Sequence, residues 1–110
     1  RSPDPSTNPY LALAAMLAAG LDGIDQQVDA REPVDGNIAE LSHREQRRLR
    51  VDELPGDLNE ACDALEADAV LRAALGDHVT RHYLAAKRQE WREYGTQVSS
   101  WELERYLGTY

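Results

Sequence analysis

The 110-residue chain contains no phenylalanine, one cysteine, one methionine and one lysine. A single Cys62 excludes an internal disulfide and fits a reducing compartment. Lys87 is the only lysine, every other basic side chain being arginine, as in GC-rich genomes and salt-adapted proteomes alike. No charged-then-apolar leader is present. The helical-looking, uncharged run Tyr10 to Leu21 is shorter than the roughly 20 residues that cross a bilayer. These absences point to a soluble, intracellular, cytoplasmic protein. A glycine-rich phosphate loop, a Ser/His/Asp arrangement, internal repeats and low-complexity stretches are also missing. No segment alternates convincingly as a strand, Thr96–Val98 being the one candidate for extended chain.

What the chain has is acid. The formal net charge is −8 and the pI about 4.7. That argues against a nucleic acid or an anionic membrane as partner of the whole chain. A hydrophobic share of 42% is enough for a core, and the length sets one domain at most. The aromatic residues are five Tyr and two Trp, and all but Tyr10 are gathered towards the end: Tyr83, Trp91, Tyr94, Trp101, Tyr106 and Tyr110.

Capping signals divide the chain into helices. Asn8-Pro9 predicts a helix start, because Asn accepts from free N–H groups and Pro at the first position forfeits no hydrogen bond. This helix is expected from Pro9 to about Asp22 or Gln26, weakened at its far end by Gly20 and Gly23. Leu11, Leu13, Met16, Leu17, Leu21 and Ile24 cover more than one stripe of it, so it demands burial on most sides. Val28–Asn37 reads as a loop. Ser42–Glu45 forms a capping box that opens a basic helix to about Arg50, and Asp57 with Glu60 opens another presenting Leu58, Ala61, Cys62 and Leu65. A short helix over Ala69–Leu75 ends at Gly76. The longest helix runs from Asp77 to about Tyr94, with Val79, Tyr83, Leu84, Lys87, Trp91 and Tyr94 on one face and Asp77 four residues before Arg81. A third capping box, Ser99–Glu102, leads into a helix over Ser100–Leu107. The expected fold class is mainly α.

Four groups of residues invite a chemical reading. His78 and His82 stand one helical turn apart, a spacing that can chelate zinc, but "HVTRH" places no general base between them; ordinary surface histidines are the other reading. His43 has no partner histidine nearby. Arg44, Arg47, Arg48 and Arg50 fit either an anion site or a solvated face that balances acidic surroundings. Cys62 sits among Ala61 and Leu65, which favours packing over reactivity.

Taken together, "RSPDPSTNPYLALAAMLAAGLDGI" (1–24), "EPVDGNIAEL" (32–41), "LPGDLNEACDALEAD" (54–68), "ALGDHVTRHYLAAKRQEW" (74–91) and "TQVSSWELERYL" (96–107) resemble, in order, the C-terminal part of the bacterial and archaeal type I glutamine synthetases. The resemblance implies a C-terminal fragment of an α+β catalytic domain, residues 1–110, with 99–110 as a helical extension. The helix from Pro9 would then pack on a sheet lying outside this sequence, and the absence of an initiator Met would reflect a cut at Arg1.

The resemblance further implies an ATP-dependent glutamate–ammonia ligase. ATP phosphorylates the γ-carboxylate of glutamate, and ammonia then displaces phosphate. Mg²⁺ or Mn²⁺ neutralises the phosphoryl oxygens. In a Glu-x-Arg motif of that family the Arg binds substrate glutamate, and Arg1 matches it. No catalytic or metal-ligating residue is expected within the fragment itself, which should be inactive. The partner implied is a further copy of the same protein, in a dodecamer of two stacked hexameric rings. Trp101, Leu103, Tyr106 and Leu107 would anchor its tail between rings. Relatives that are switched off by adenylylation carry a Tyr where this sequence has Ala39, so that regulation is expected to be absent. Two alternatives stand beside this reading: a ligase of the same superfamily that joins glutamate to a polyamine or another amine, and a non-enzymatic helical interaction module.

Overall fold

The computed structural model describes residues 3–30, 32–34, 36–49, 51 and 53–109. Among these there are helices and no strand: α1 (Pro9–Asp25), a 3-10 turn (Ile38–Glu40), α2 (His43–Arg48), α3 (Leu58–Ala67), α4 (Ala69–Leu75), α5 (Asp77–Gly95) and α6 (Ser100–Tyr106). The mainly α expectation holds.

Local chemistry accounts for most of the boundaries. Asn8 Oδ1 accepts from the N–H groups of Tyr10 (3.0 Å) and Leu11 (3.3 Å), and Pro9 occupies the first helical position. α1 runs straight through Gly20 and Gly23 and stops at Asp25. Its end is a Schellman motif: Gln27 N–H donates to Ile24 C=O (3.0 Å) and Val28 N–H to Gly23 C=O (2.9 Å), with Gln27 in the left-handed region at φ 53°. Glycine normally takes that position, so nothing in the composition marked it. The box at Ser42 closes both ways: Ser42 N–H donates to Glu45 Oε2 at 2.9 Å, and Glu45 N–H to Ser42 Oγ at 3.4 Å. α2 ends at Arg48, and Arg50 lies outside the described residues. Asp57 accepts from Glu60 N–H at 2.8 Å, while the Glu60 carboxylate reaches one residue further back, to Gly56 N–H at 2.8 Å. Asp68, which ends α3, caps α4 by accepting from Leu71 N–H at 2.9 Å. Gly76, at φ 78°, ends α4 and begins α5. Thr96 caps the end of α5, so no strand starts there.

The packed pairs of helices are α1 with α4, α3 with α5, and α4 with both α3 and α5. The centre lies between α3 and α5, where Cys62 is 4% exposed and Leu84 7%. Cys62 is thus a core residue, as its apolar neighbours suggested. On α5 the buried stripe is Thr80, Leu84 and the half-buried Lys87, Arg88 and Trp91, whereas Val79, Tyr83 and Tyr94 are exposed. The expected face holds at Leu84, Lys87 and Trp91, and Thr80 and Arg88 join it in place of Val79, Tyr83 and Tyr94. Arg88 Nη2 meets Asp63 Oδ1 and Glu66 Oε2, both at 2.7 Å, and its Nη1 donates to Asn59 at 3.2 Å. That clamp joins α5 to α3 on this side. It also raises the Arg88 pKa, first through the hydrogen bond to Asp63. Asp77 and Arg81 are not joined by an ion pair among the described residues.

Thr80 is buried and its Oγ1 has no hydrogen-bond partner among the described residues. An unpaired buried hydroxyl is a net cost, and valine has nearly the same shape without it. Thr80→Val is expected to stabilise the protein by about 1 kcal/mol in denaturant unfolding. A loss of stability would show that the hydroxyl is satisfied after all.

This core is small for the chain. The solvent-accessible surface is 9845 Å², against about 6,100 Å² for a compact monomer of this mass. The radius of gyration is 18.5 Å, against about 13 Å. α1 turns only its Leu11, Ala12, Ala15 and Ala18 side towards the other helices and leaves Leu13, Met16, Leu17, Leu21 and Ile24 in solvent, Ile24 at 72%.

Candidate functional site

Arg1, matched to a glutamate-binding arginine, lies outside the described residues. The chain that follows it is held locally. Asp4 accepts from Ser6 N–H at 2.8 Å, and hydrogen bonds from the Ser6 hydroxyl and N–H lower its pKa. The Ser6–Asn8 segment then forms one lip of a 420 Å³ cleft whose opposite wall carries Tyr83 and Lys87. Lys87 is not free to act there as a base: Nζ contacts Glu90 at 2.6 Å, and that hydrogen bond raises its pKa.

α6 packs on no other helix to a comparable extent, and its side chains organise one another instead. Trp101 and Tyr106 meet edge-on at 6.0 Å, and the Arg105 guanidinium lies 5.9 Å from the Trp101 ring. Leu103, Tyr106 and Leu107 line a shallow groove with Val98. Trp101 is 60% exposed and Leu107 75%. The helix ends at Tyr106, with Leu107 as its cap.

Its start is the capping box expected from sequence. Ser99 N–H donates to Glu102 Oε2 at 2.7 Å, the Ser99 hydroxyl does so at 2.8 Å, and Glu102 N–H returns to Ser99 Oγ at 3.2 Å. These bonds, the backbone one first, hold the Glu102 carboxyl below its ordinary 4.5. A carboxylate depressed in the folded state contributes stability above its unfolded pKa and loses it as the pH falls through the lowered value. The start of α6 should therefore be intact at neutral pH and fray only below pH 4.5. The Ser99 amide proton shift should follow that titration, and in Glu102→Gln the step should vanish. A midpoint at or above 4.5 would contradict the cap.

The remaining candidates stay apart. Arg44, Arg47 and Arg48 are exposed along α2, as in a solvated face. His43 lies 4.0 Å from Glu53. His78 and His82 are neighbours near the exposed start of α5. Among the described residues no three His, Cys, Asp or Glu side chains converge on a metal position, and no helix is long and apolar enough to cross a membrane. Sequence reasoning missed the Arg88 clamp and the cleft beside Tyr83, because both are built from residues far apart in the chain.

Helices that bury few residues and leave two apolar faces open belong to the class of segments that complete their core against further protein. The comparisons identify the family. Residues 1–106 match the family model described as glutamine synthetase, catalytic domain, and the chain belongs to that family. It is 53% identical over its whole length to a glutamine synthetase of Thermus thermophilus, of which it covers 25%. It is 49% identical over 97% of its length to a glutamine synthetase of Methanocaldococcus jannaschii, covering 24% of that protein. It thus spans about a quarter of the curated relatives. A solved structure described as "Apo GmaS without ligand" superposes with a TM-score of 0.79 at 40% identity, over 97% of this chain and 24% of the other.

Proposed function

We propose that the complete protein is a glutamate–ammonia ligase that forms glutamine from glutamate, ammonia and ATP through a γ-glutamyl phosphate. The observation that carries this reading is the similarity to curated glutamine synthetases along the entire chain. ATP and Mg²⁺ or Mn²⁺ are the cofactors of that chemistry. Among the described residues no three His, Cys, Asp or Glu side chains come together to hold that metal. The part assigned to Arg1 is to hold the substrate glutamate, its planar guanidinium donating two parallel hydrogen bonds to a carboxylate.

The rest of the chain serves architecture in this reading. α1 seats its open side on the remainder of the catalytic domain. Residues 99–110 form an extension that joins rings in a cytoplasmic dodecamer of two stacked hexamers, with Trp101, Leu103, Tyr106 and Leu107 as its anchor. Ala39 offers no hydroxyl for adenylylation, so treatment with ATP and an adenylyltransferase should leave position 39 unmodified.

The test is a substrate comparison. Purified full-length protein with ATP, Mg²⁺ and glutamate is expected to release phosphate and form glutamine with ammonia faster than it forms any γ-glutamyl amide with alkylamines or polyamines. Preference for one of those amines would move the protein to the amine-ligase branch of the superfamily. Absence of phosphate release with every amine would remove the ligase reading.

A further inference from the structure

The start of α5 is built differently from the other helix starts. Side-chain oxygens of Asn8, Ser42, Asp57, Asp68 and Ser99 cap α1, α2, α3, α4 and α6. The N-cap of α5 is Gly76, at φ 78°, with no side-chain hydrogen bond. Within the first two turns that follow, His78 and His82 lie side by side, ring centroids 4.4 Å apart and planes inclined by 55°. Both are exposed.

The geometry points to a divalent transition-metal site at His78 and His82, clipping the first two turns of α5. Two imidazole nitrogens on one tetrahedral metal stand about 3.3 Å apart, given metal–nitrogen bonds of about 2.0–2.1 Å. Neighbouring rings one turn apart reach that separation by small rotations about their side-chain bonds, without moving the helix. Among the described residues no third His, Cys, Asp or Glu joins the pair, so water completes the coordination. Two neutral nitrogens and water suit Ni²⁺, Cu²⁺ or Zn²⁺ and disfavour Mg²⁺, which demands oxygen ligands. Bound metal ties His78 to His82 across a turn that no side chain caps, and it stabilises the folded helix by mass action.

The experiment is calorimetric titration of the full-length protein with Ni²⁺ in excess Mg²⁺, so that oxygen-ligand sites are occupied. Wild type, His78→Ala, His82→Ala and, as a control, His43→Ala are compared. The expected result is a Ni²⁺ equivalent per subunit in wild type and His43→Ala that each of the other two variants binds on the order of 100-fold more weakly, the loss of one of two linked ligands. Ni²⁺ should also raise the Tm of wild type and leave that of His82→Ala unchanged. Equal binding by wild type and His82→Ala, or none by wild type, overturns the site. Neither result depends on ligase activity.

Discussion

Removal of residues 99–110 from the complete protein is expected to shift it from its full assembly to single rings or smaller species. The cause lies in the build of α6. It starts on its own capping box and follows α5 after only the short Thr96–Ser99 link. Its Trp101 and Leu107 stand largely in water, an apolar patch on an otherwise acidic surface that a partner would cover. Trp101 is already oriented by Tyr106 and Arg105, so little side-chain entropy is lost when it docks. Truncation of a docked Trp commonly costs about 2 kcal/mol or more, and symmetry repeats the loss at every equivalent contact. Sedimentation at low protein concentration reads the outcome. Trp101→Ala should move the equilibrium the same way to a smaller extent. If the truncated protein keeps its full assembly, α6 packs within its own subunit.

Arg1→Lys is expected to lower kcat/KM for glutamate by about 10- to 100-fold, the equivalent of about 1.5–3 kcal/mol for a charge-assisted hydrogen-bonded contact. Lys keeps the charge but replaces a planar fork with a point donor, so the second parallel hydrogen bond to a carboxylate is lost. Assembly and unfolding midpoint should be unchanged, since the change is aimed at bound substrate and not at packing. Steady-state kinetics with glutamate as the varied substrate make the measurement. Unaltered kinetics in an intact assembly would remove Arg1 from the site.

The helix starts at Asn8, Ser42, Asp57 and Ser99 were legible because a cap is decided by a side chain and the N–H groups two or three residues away. The ends were less so. Gln27 takes a left-handed conformation that glycine usually fills, and α1 passes through Gly20 and Gly23 without a break. The 3-10 turn over Ile38–Glu40, capped by Asn37 accepting from Ala39 N–H at 3.1 Å, carries no periodicity to reveal it. The buried face of α5 was legible at Leu84, Lys87 and Trp91 and not at Thr80 or Arg88. Arg88 reaches Asp63 and Glu66, a link between distant segments that periodicity within one helix does not reveal. Of the candidate functional residues, the tail aromatics stand exposed as their anchor reading requires, while Arg1 was legible only through the family's motif.

The central claim is that α1 is an incomplete piece of core, whose Leu13, Met16, Leu17, Leu21 and Ile24 side is open among the described residues and is covered by the rest of the catalytic domain in the complete protein. Amide hydrogen exchange on the isolated chain and on the complete protein tests it most directly. Ordering a residue costs about 1–2 kcal/mol, and a helix buried along only one stripe does not recover that cost. The α1 amides should therefore exchange rapidly in the isolated chain and slowly in the complete protein, whereas those of α3 and α5 around Cys62 and Leu84 should retain more protection than α1 in the isolated chain. Equal, strong protection of α1 in both would contradict the claim.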